Sequence, residues 1–276
     1  MGRLYIVSTP IGNLEDITIR GLRVLKEVSI IAAEDTRHSR ILLTHYAVMT
    51  PLTSYHEHNE KEKAPELIEM LKSGRDIALV SDAGTPGISD PGYRLIRAAV
   101  EAGIRVVPIP GACAAVAALS VAGAPIDEFT FRGFVPSAEA QRRSFILEMK
   151  AAQRTFVIYD SPRRVARTVS ELFDLLGDVD IMVCRELTKL HEEIIRGKAK
   201  EVASQLSQRT LKGEIVIVVR TGQLKDVTLT IDAEIERLLK AGLSVKEIAR
   251  SAAHEFGIPG GEAYREVLRI KERLGI

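Results

Sequence analysis

Short apolar runs alternate with helix-like segments along the first 120 residues of the chain. Residues 4–10, LYIVSTP, form an apolar run that ends at a proline, and residues 18–28 follow with apolar side chains three and four positions apart. The alternation continues with predicted strands at 29–35, 50–56, 76–82 and 105–111, and with predicted helices at 36–46, 59–73 and 92–103. Because strands that alternate with helices usually pair in parallel, this pattern predicts a mainly parallel sheet with helices on both faces.

A second series of apolar strands begins near Phe129. Val, Ile and Phe dominate the predicted strands at 129–134, 155–161, 180–187, 192–197 and 213–220, and helical patterns lie around 137–150, 162–177 and 198–207. The connections between these segments are short. We therefore predict a first α/β domain at 1–125 and a second at 126–222.

The last part of the chain differs from both series. Residues 221–230 are polar and are interpreted as a linker or an edge strand, and three helical patterns punctuated by glycine follow at 231–242, 244–257 and 261–275. Thr230 and Ser244 are candidate helix caps. Residues 231–276 contain eight basic and eight acidic residues, so they have no net attraction for phosphate. A helix-turn-helix-like bundle is predicted at 223–276, and its role is as compatible with packing as with RNA binding.

Composition narrows the class of protein. The chain has 276 residues, of which 46% are hydrophobic and 27% charged, with a formal net charge of +1. This balance is typical of a soluble globular protein and does not by itself indicate a nucleic-acid binder. Cys113 and Cys184 lie far apart without CxxC or Cys/His spacing, so no disulfide framework and no metal site are expected, and a cytoplasmic location fits best.

Membrane association is not predicted either. The start of the chain lacks an apolar stretch followed by a small-residue cleavage site. The uncharged run at 106–126 is interrupted by prolines and glycines, and its alanine-rich centre is only weakly hydrophobic. This run is therefore interpreted as a strand followed by a buried helix of small residues.

Three loops at 8–18, 81–92 and 108–115 follow predicted strands of the first domain, where open parallel sheets bind ligands. The middle loop, SDAGTPGISDPG, has three glycines and two aspartates but neither Lys nor Arg. The first loop lacks GxGxxG and the second lacks the GK[ST] of a P-loop, so a triphosphate is a poor candidate. The middle loop suits a neutral or cationic ligand held by main-chain groups, unless its glycines serve only to form turns.

A set of motifs in a fixed order carries a family resemblance. LYIVSTPIGNLEDIT, AAEDTRHSRILL, ALVSDAGTPGISDPG, VVPIPGACAAVAALSVAG, FVP and YDSPRRV resemble the tetrapyrrole methylase superfamily, and within it the branch that acts on ribosomal RNA, over about residues 3–220. The resemblance implies two α/β domains, the second with a mixed sheet, that hold S-adenosylmethionine between them, usually in a homodimer. It also implies an enzyme that methylates the 2′-hydroxyl of a cytidine ribose in small-subunit (16S) rRNA.

The resemblance implies that individual residues of this chain bind the cofactor. From the first domain these are Pro10, Ile11, Gly84, Thr85, Pro86, Gly87, Ile88, Cys113 and Ala114. From the second domain Tyr159, Ser161, Gly213 and Glu214 are expected to close over the adenosine. Thr85 stands where the superfamily usually has an aspartate. Asp82 is added because a carboxylate in a loop without cations suits a positively charged sulfonium.

Candidate catalytic residues follow from the weak acidity of a ribose hydroxyl, which a nearby base or cation would help to attack the methyl group. Glu34 and Asp35 end a predicted strand, and Arg37 beside them is a candidate ligand for the target phosphate. Glu186 and Lys189 follow a strand of the second domain. An alternative for Asp35 is that it simply caps the next helix.

Positive charge is concentrated between residues 132 and 167, a segment that contains eight Lys or Arg residues and only three Asp or Glu residues. Within this segment Arg142, Arg143, Arg163 and Arg164 are the candidate contacts for RNA phosphates, and a solvated surface with scattered arginines is the alternative. Three other functions remain open from the sequence. They are C-methylation of a porphyrin-like or corrin-like macrocycle, non-catalytic binding of rRNA during ribosome assembly, and a dehydrogenase-like enzyme, which the missing GxGxxG disfavours.

Overall fold

A computed structural model describes residues 1–221 and 227–275. The chain divides into two compact units, Met1–Gly222 and Gln223–Ile276. Within the described ranges, no helix combines the length and the apolar character that a membrane crossing requires.

The first unit begins with a parallel sheet of five strands. These are β1 (Arg3–Val7), β2 (Ile30–Ala33), β3 (Leu52–Ser54), β4 (Ile77–Val80) and β5 (Arg105–Ile109), arranged in the order β3-β2-β4-β1-β5. The helices of this part are α1 (Ile19–Glu27), α2 (Thr36–His45), α3 (Glu60–Lys72), α4 (Tyr93–Glu101) and α5 (Ala114–Ser120). All four strand pairings are parallel, so the predicted mainly parallel sheet is confirmed.

Burial on both faces explains why the central strand β4, residues 77–80, is apolar throughout. Ile77 and Leu79 of β4 pack in one cluster with residues of α3 and α4, and Ala78 and Val80 pack in another with residues of α1 and α2. Successive side chains of a strand point to opposite faces, so each needs an apolar partner.

The second sheet of the first unit is mixed, as the predicted fold requires. Its strands are β6 (Phe129–Phe134), β7 (Thr155–Asp160), β8 (Asp180–Arg185), β9 (Glu193–Lys198) and β10 (Ile215–Arg220), in the order β6-β7-β10-β8-β9. Only β6 and β7 are parallel among the described pairs. Helices α6 (Glu139–Ala152), α7 (Val165–Leu176) and α8 (Ala199–Ser207) pack against one face.

Helix α5 links the two sheets. It follows β5 of the first sheet, and Ala118 of this helix packs with Val157 and Val216 on the second sheet. The domain boundary predicted at residue 125 falls between α5 and β6, where the chain passes from one sheet to the other. It stays a prediction, because packing of α5 joins both sheets into one compact unit.

The second unit contains α9 (Val227–Lys240), α10 (Val245–Phe256) and α11 (Gly260–Leu274), which share a core that includes Ile235, Ile248 and Val267. Ser244 caps α10, and its partner Glu247 completes a capping box, which confirms that cap. Thr230 as a cap is wrong, because it lies inside α9.

The predicted polar linker is also too long, since helix α9 begins at Val227 and not at residue 231. The apolar face that includes the buried Ile231 outweighs the low helix propensity of the threonines before it. The rest of the predicted linker, 222–226, lies outside the described residues.

One predicted RNA-binding residue is wrong. Arg142 on α6 is 2% exposed, and its Nε and Nη2 atoms donate to the Glu171 carboxylate at 2.7 and 2.8 Å. Its Nη1 atom donates to the Ser137 carbonyl at 2.8 Å. Because this guanidinium is buried and fully engaged, it does not reach an RNA phosphate.

The neighbouring pair offers a matched test of this correction. We expect Arg142→Ala to lower the free energy of unfolding by about 3 kcal/mol, because the Glu171 carboxylate is left with poorer compensation in a buried setting. Arg143, the next residue, is exposed, and Arg143→Ala should change stability by less than about 0.5 kcal/mol. Urea denaturation followed by circular dichroism measures both, and equal losses would contradict the assignment.

Candidate active site

The three candidate loops meet at one edge of the first sheet. Strand β1 lies between β4 and β5, so the loops after these adjacent parallel strands emerge side by side. The Thr9 amide donates to the Gly84 carbonyl at 2.8 Å, and the Gly84 amide donates back to the Thr9 carbonyl at 3.0 Å. This pair of hydrogen bonds ties the first loop to the second.

Thr85 extends the connection to the third loop. Its hydroxyl lies 2.8 Å from the Ser8 hydroxyl and donates to the Ala112 carbonyl at 3.1 Å. A neutral hydroxyl can both donate and accept, so Thr85 joins groups that an ionised aspartate, which only accepts, would not. Having threonine at position 85, where the resemblance implies an aspartate, therefore allows the second loop to be hydrogen-bonded to the third.

Glycine in the middle loop is required by backbone geometry. Gly84 and Gly87 both have φ of +84°, in the left-handed region that a residue with a Cβ atom rarely adopts. The interpretation of these glycines as turn formers therefore agrees with the backbone geometry. A ligand-binding role for Gly84 stays a prediction.

A cavity of about 390 Å³ lies between the loops and the second sheet. Eleven of the predicted cofactor-binding residues line it. From the first-sheet side these are Ile11, Asp82, Gly84, Thr85, Ile88, Cys113 and Ala114. From the second-sheet side they are Tyr159, Ser161, Gly213 and Glu214.

Three predicted cofactor residues, Pro10, Pro86 and Gly87, are not among the residues that line this cavity, and their cofactor role stays a prediction. Gly87 faces Ile96 of α4, because a Cβ atom built on it would lie 3.9 Å from the Ile96 side chain, and Pro86 precedes it in the same turn. Pro10 lines a smaller cavity next to α2. Successive residues of the first loop line different cavities: Pro10 lines the smaller one, and the next residue, Ile11, lines the larger one.

The sequence analysis missed several lining residues. They are Ala83, Ser89, Asp90, Phe134, Asp160, Pro162, Ile215 and Val216. Most neighbour predicted residues or belong to quoted motifs, such as Phe134 in FVP. The important omission is Asp90, for which the only sequence signal was its place in a loop without cations.

Negative charge dominates the cavity. Asp82, Asp90 and Glu214 line it, whereas none of the described lining residues is Lys, Arg or His. Burial, together with the nearby charges of Glu34, Asp82 and Glu214, raises the pKa of Asp90 to about 6 against the lowering effect of a hydrogen bond with Ser81. The site therefore favours a cationic ligand.

The second sheet closes the cavity with Tyr159 and Asp160, whose polar atoms already have hydrogen-bond partners within the protein. The Tyr159 hydroxyl accepts a hydrogen bond from the Ala115 amide at 3.1 Å, and burial raises the pKa of this phenol well above its usual value. The Phe134 ring lies edge-on to Tyr159, with ring centroids 5.4 Å apart. Asp160 accepts from Thr168 at 2.6 Å and pairs with Arg164 at 2.8 Å.

That ion pair has a consequence for RNA binding. Arg164 pairs with the buried Asp160 and donates to the Val135 carbonyl at 3.2 Å, so its guanidinium is partly engaged within the fold. Arg143 and Arg163 are exposed. Of the four predicted RNA contacts, these two have the most accessible side chains.

Two predicted catalytic residues of the first sheet, Glu34 and Asp35, form hydrogen bonds with Asp82 of the cavity wall. A Glu34 carboxylate oxygen accepts a hydrogen bond from the Asp82 amide at 3.3 Å, and the Asp82 carboxylate accepts one from the Asp35 amide at 2.9 Å. Burial, followed by the charge of Asp82, raises the pKa of Glu34. Glu34 is thus a better proton acceptor near neutral pH than an ordinary glutamate.

Asp35 has a different environment. Its carboxylate accepts from the Arg37 amide at 2.8 Å, which caps α2, and it also pairs with the Arg37 guanidinium at 2.8 Å. These hydrogen bonds hold the pKa of Asp35 well below its usual range. The geometry supports the helix-cap interpretation for this residue.

Glu186 and Lys189 form a charged bridge at the rim of the cavity. Lys189 Nζ lies 2.9 Å from Glu186 and 3.1 Å from Glu214. Burial alone would raise the pKa of Glu186 and lower that of Lys189, but their hydrogen bonds reverse both effects. A side chain at Gly12 would collide with Lys189, so the bridge reaches from the second sheet to the first loop.

Comparison with known proteins identifies the family of this arrangement. Residues 3–203 match the sequence profile of the family described as Tetrapyrrole (Corrin/Porphyrin) Methylases. The protein named Ribosomal RNA small subunit methyltransferase I from Halalkalibacterium halodurans is 44% identical over 270 residues, covering 95% of this chain and 93% of that protein. The protein of the same name from Pseudomonas aeruginosa is 44% identical over 276 residues and 97% of each chain.

Solved structures confirm the predicted two-sheet fold. Uroporphyrin-III-C-methyltransferase from Thermus thermophilus aligns with a TM-score of 0.56 at 19% identity, covering 80% of this chain and 95% of that one. Diphthine synthase aligns with a TM-score of 0.62 at 15% identity, covering 80% and 90%. At these identities the likeness concerns the fold alone. With a profile match over residues 3–203 and relatives 44% identical along nearly their whole length, the chain belongs to the tetrapyrrole methylase family of methyltransferases.

Proposed function

We propose that this protein transfers a methyl group from S-adenosylmethionine to the 2′-hydroxyl of a cytidine ribose in small-subunit (16S) rRNA. The observation that carries the proposal is 44% identity over 95–97% of the chain to proteins named Ribosomal RNA small subunit methyltransferase I. The choice of a cytidine 2′-hydroxyl rests on the resemblance of the loop motifs to the rRNA-modifying branch.

The residues that line the larger cavity fit the cofactor. Its volume of about 390 Å³ falls within the range of roughly 300–1,000 Å³ that small-molecule pockets occupy. S-adenosylmethionine supplies an activated methyl group on a sulfonium, and it carries positive charge. The carboxyl groups of Asp82, Asp90 and Glu214 supply the complementary charge.

The chain also has to remove a proton when the ribose oxygen bonds to the methyl carbon. Glu34 is the proposed acceptor, because its pKa is raised and its carboxylate accepts from the amide of Asp82, a residue of the cavity wall. Asp35 is engaged as a helix cap, and Lys189 is held protonated by its two carboxylate partners. We therefore propose that Asp35 and Lys189 hold neighbouring parts of the site in place and do not take the proton. Glu186 holds Lys189 through their ion pair.

Partners and location complete the proposal. We propose a small ribosomal subunit or its rRNA as the substrate, a homodimer as the working form and the cytoplasm as the compartment. Phe129 on the edge strand β6 is 46% exposed, and apolar exposure on an edge strand is typical of a surface that another protein covers. Cys113 and Cys184 are free thiols, which suits a reducing compartment.

The proposed reaction has a direct test. Purified protein incubated with labelled S-adenosylmethionine and small subunits from cells lacking it should yield one new 2′-O-methylcytidine, resolved by mass spectrometry of the nucleosides. Subunits from cells that contain the protein should accept little label, because their site is already methylated. Cofactor binding without any label in RNA would reject the proposal and favour a macrocycle or another small acceptor.

Gly84 provides a test of the cofactor site. Gly84→Val should weaken S-adenosylmethionine binding about tenfold or more, because the left-handed backbone of the cavity wall is strained by any Cβ atom. Gly74 is the matched control, since it has φ of +93° and open space around a built Cβ atom. Gly74→Val should lower stability but leave the affinity unchanged in isothermal titration calorimetry. If both variants bound S-adenosylmethionine with equal affinity, Gly84 would not be part of the cofactor site.

The raised pKa of Asp90 predicts a pH dependence of binding. Above pH 6 its carboxylate is ionised and attracts the cationic cofactor, and below pH 6 it is protonated and the attraction is lost. Affinity measured by calorimetry should therefore fall as the pH drops from 7 to 5. Asp90→Asn should bind more weakly at pH 7.5 and show a flatter pH profile.

Glu101→Gln on α4 serves as the control for Asp90→Asn, because Glu101 pairs with Arg97 on an exposed helix surface. It should keep both the affinity and the full pH profile of the unmodified protein. A pH profile that is unchanged by Asp90→Asn would show that another group controls binding.

A further inference from the structure

A second cavity adjoins the first across the loop that follows β1. It has a volume of about 210 Å³ and is lined by Pro10 and Gly12, whereas Ile11 between them lines the larger cavity. Asp82 lines both cavities. The two spaces are therefore neighbours that share one carboxylate and opposite sides of one loop.

Helix α2 forms the other wall of this smaller cavity and leaves a polar group without a partner there. Ser39 lines the cavity and is 6% exposed, and its hydroxyl has no hydrogen-bond partner among the residues that the structure describes. The Ser39 oxygen has almost no accessible surface, so its side chain has to rotate towards the cavity to meet a ligand there. Buried polar atoms are nearly always satisfied, so an unpaired hydroxyl beside a cavity indicates a ligand that supplies the partner. His38, which is exposed, also lines the cavity.

The outer surface of the same helix is basic. An open groove there is lined by Arg37, Arg40, Thr44 and His45, and it shares Leu14 and Ile41 with the smaller cavity. Arg37 and Arg40 are exposed and three positions apart, so they lie on one face of the helix. The cationic groove thus continues directly from the mouth of the small cavity.

The combination has the chemistry of a single-stranded RNA site. Bases splayed out of RNA are recognised by hydrogen bonds to their edges and by stacking on side chains that include histidine, while phosphates are held by arginine. The smaller cavity lies below the range of roughly 300–1,000 Å³ typical of whole-ligand pockets, so it suits one part of a larger substrate.

We propose that the cavity between the first loop and α2 receives the base of the acceptor nucleotide, and that Arg37 and Arg40 bind phosphates of the flanking RNA backbone. The inference rests on the proposed function and identifies where its substrate lies. The shared Asp82 then places the ribose between the base and the cofactor, beside Glu34. Helix α2, rather than the exposed arginines of the second sheet, is the principal RNA contact.

Three variants of α2 test this assignment through the kinetics of methyl transfer to small subunits. Ser39→Val fills the cavity and should lower kcat/KM for subunits about tenfold, the effect of one misplaced or unpaired substrate group. Ser39→Ala adds no bulk and should raise KM for subunits about threefold, in line with one lost neutral hydrogen bond. Arg40→Gln should raise KM and reduce the slope of log affinity against log salt by about 0.7 to 0.9, as expected for one phosphate contact.

Control measurements separate this effect from a loss of fold. Affinity for S-adenosylmethionine, measured by calorimetry, should be unchanged in all three variants, because none of the changed residues lines the larger cavity. Arg97→Gln on α4 is the matched charge control, since Arg97 is exposed and pairs with Glu101, and its KM and salt slope should equal those of the unmodified protein.

The outcomes distinguish the two proposals. Methyl transfer by the unmodified protein, together with unchanged KM and salt slope in the α2 variants, would overturn the base cavity and leave the proposed function standing. A rise in KM with Arg143→Gln or Arg163→Gln but not with Arg40→Gln would also overturn it and place the RNA on the second sheet. Absence of methyl transfer to RNA by the unmodified protein, despite cofactor binding, would overturn the proposed function and this inference together.

Discussion

Hydrogen bonds between three loops at the carboxyl edge of the first sheet hold the site together. The reciprocal pair between Thr9 and Gly84 joins the first two loops, and the Thr85 hydroxyl connects them to Ala112 in the third. Loops outside a regular ladder have no other source of backbone order, so these contacts determine where the cavity wall lies. The cavity, its shared wall with the smaller space under α2 and the direction of the Asp82 side chain all depend on this arrangement.

Charge is sorted around that edge. The described lining of the larger cavity carries carboxyl groups and no cation, while nearby cations are held by partners: Lys189 by Glu186 and Glu214, and Arg164 by Asp160. Exposed arginines lie on the outer face of α2 instead, where Arg37 pairs with Asp35 and Arg40 has no carboxylate partner among the described residues. The proposed reaction needs this separation, because the cationic cofactor and the anionic RNA must bind next to each other. Each is attracted only to the region of opposite charge.

Much of the fold and of the site was predictable from local patterns. Alternating apolar runs and helical periodicity predicted the parallel sheet because its central strand is buried on both faces, as Ile77 to Val80 illustrate. Loop chemistry led to Asp82, and the family resemblance to Gly84, Tyr159 and Gly213. The errors concerned partners that lie far apart in the chain. Arg142 looked like a surface cation because nothing in its neighbourhood revealed that Glu171 would bury it.

The sequence by itself determined the order of strands and helices, the glycines that permit left-handed turns, and the absence of cations in the middle loop, because these depend on residues near one another in the chain. Only the tertiary structure decided which charges are free. It buried Asp90 among other carboxyl groups, engaged Asp35 as a helix cap and left the Ser39 hydroxyl unpaired beside a cavity, among the residues that the structure describes. Burial and pairing depend on elements that meet only after folding, so no local pattern of residues reveals them.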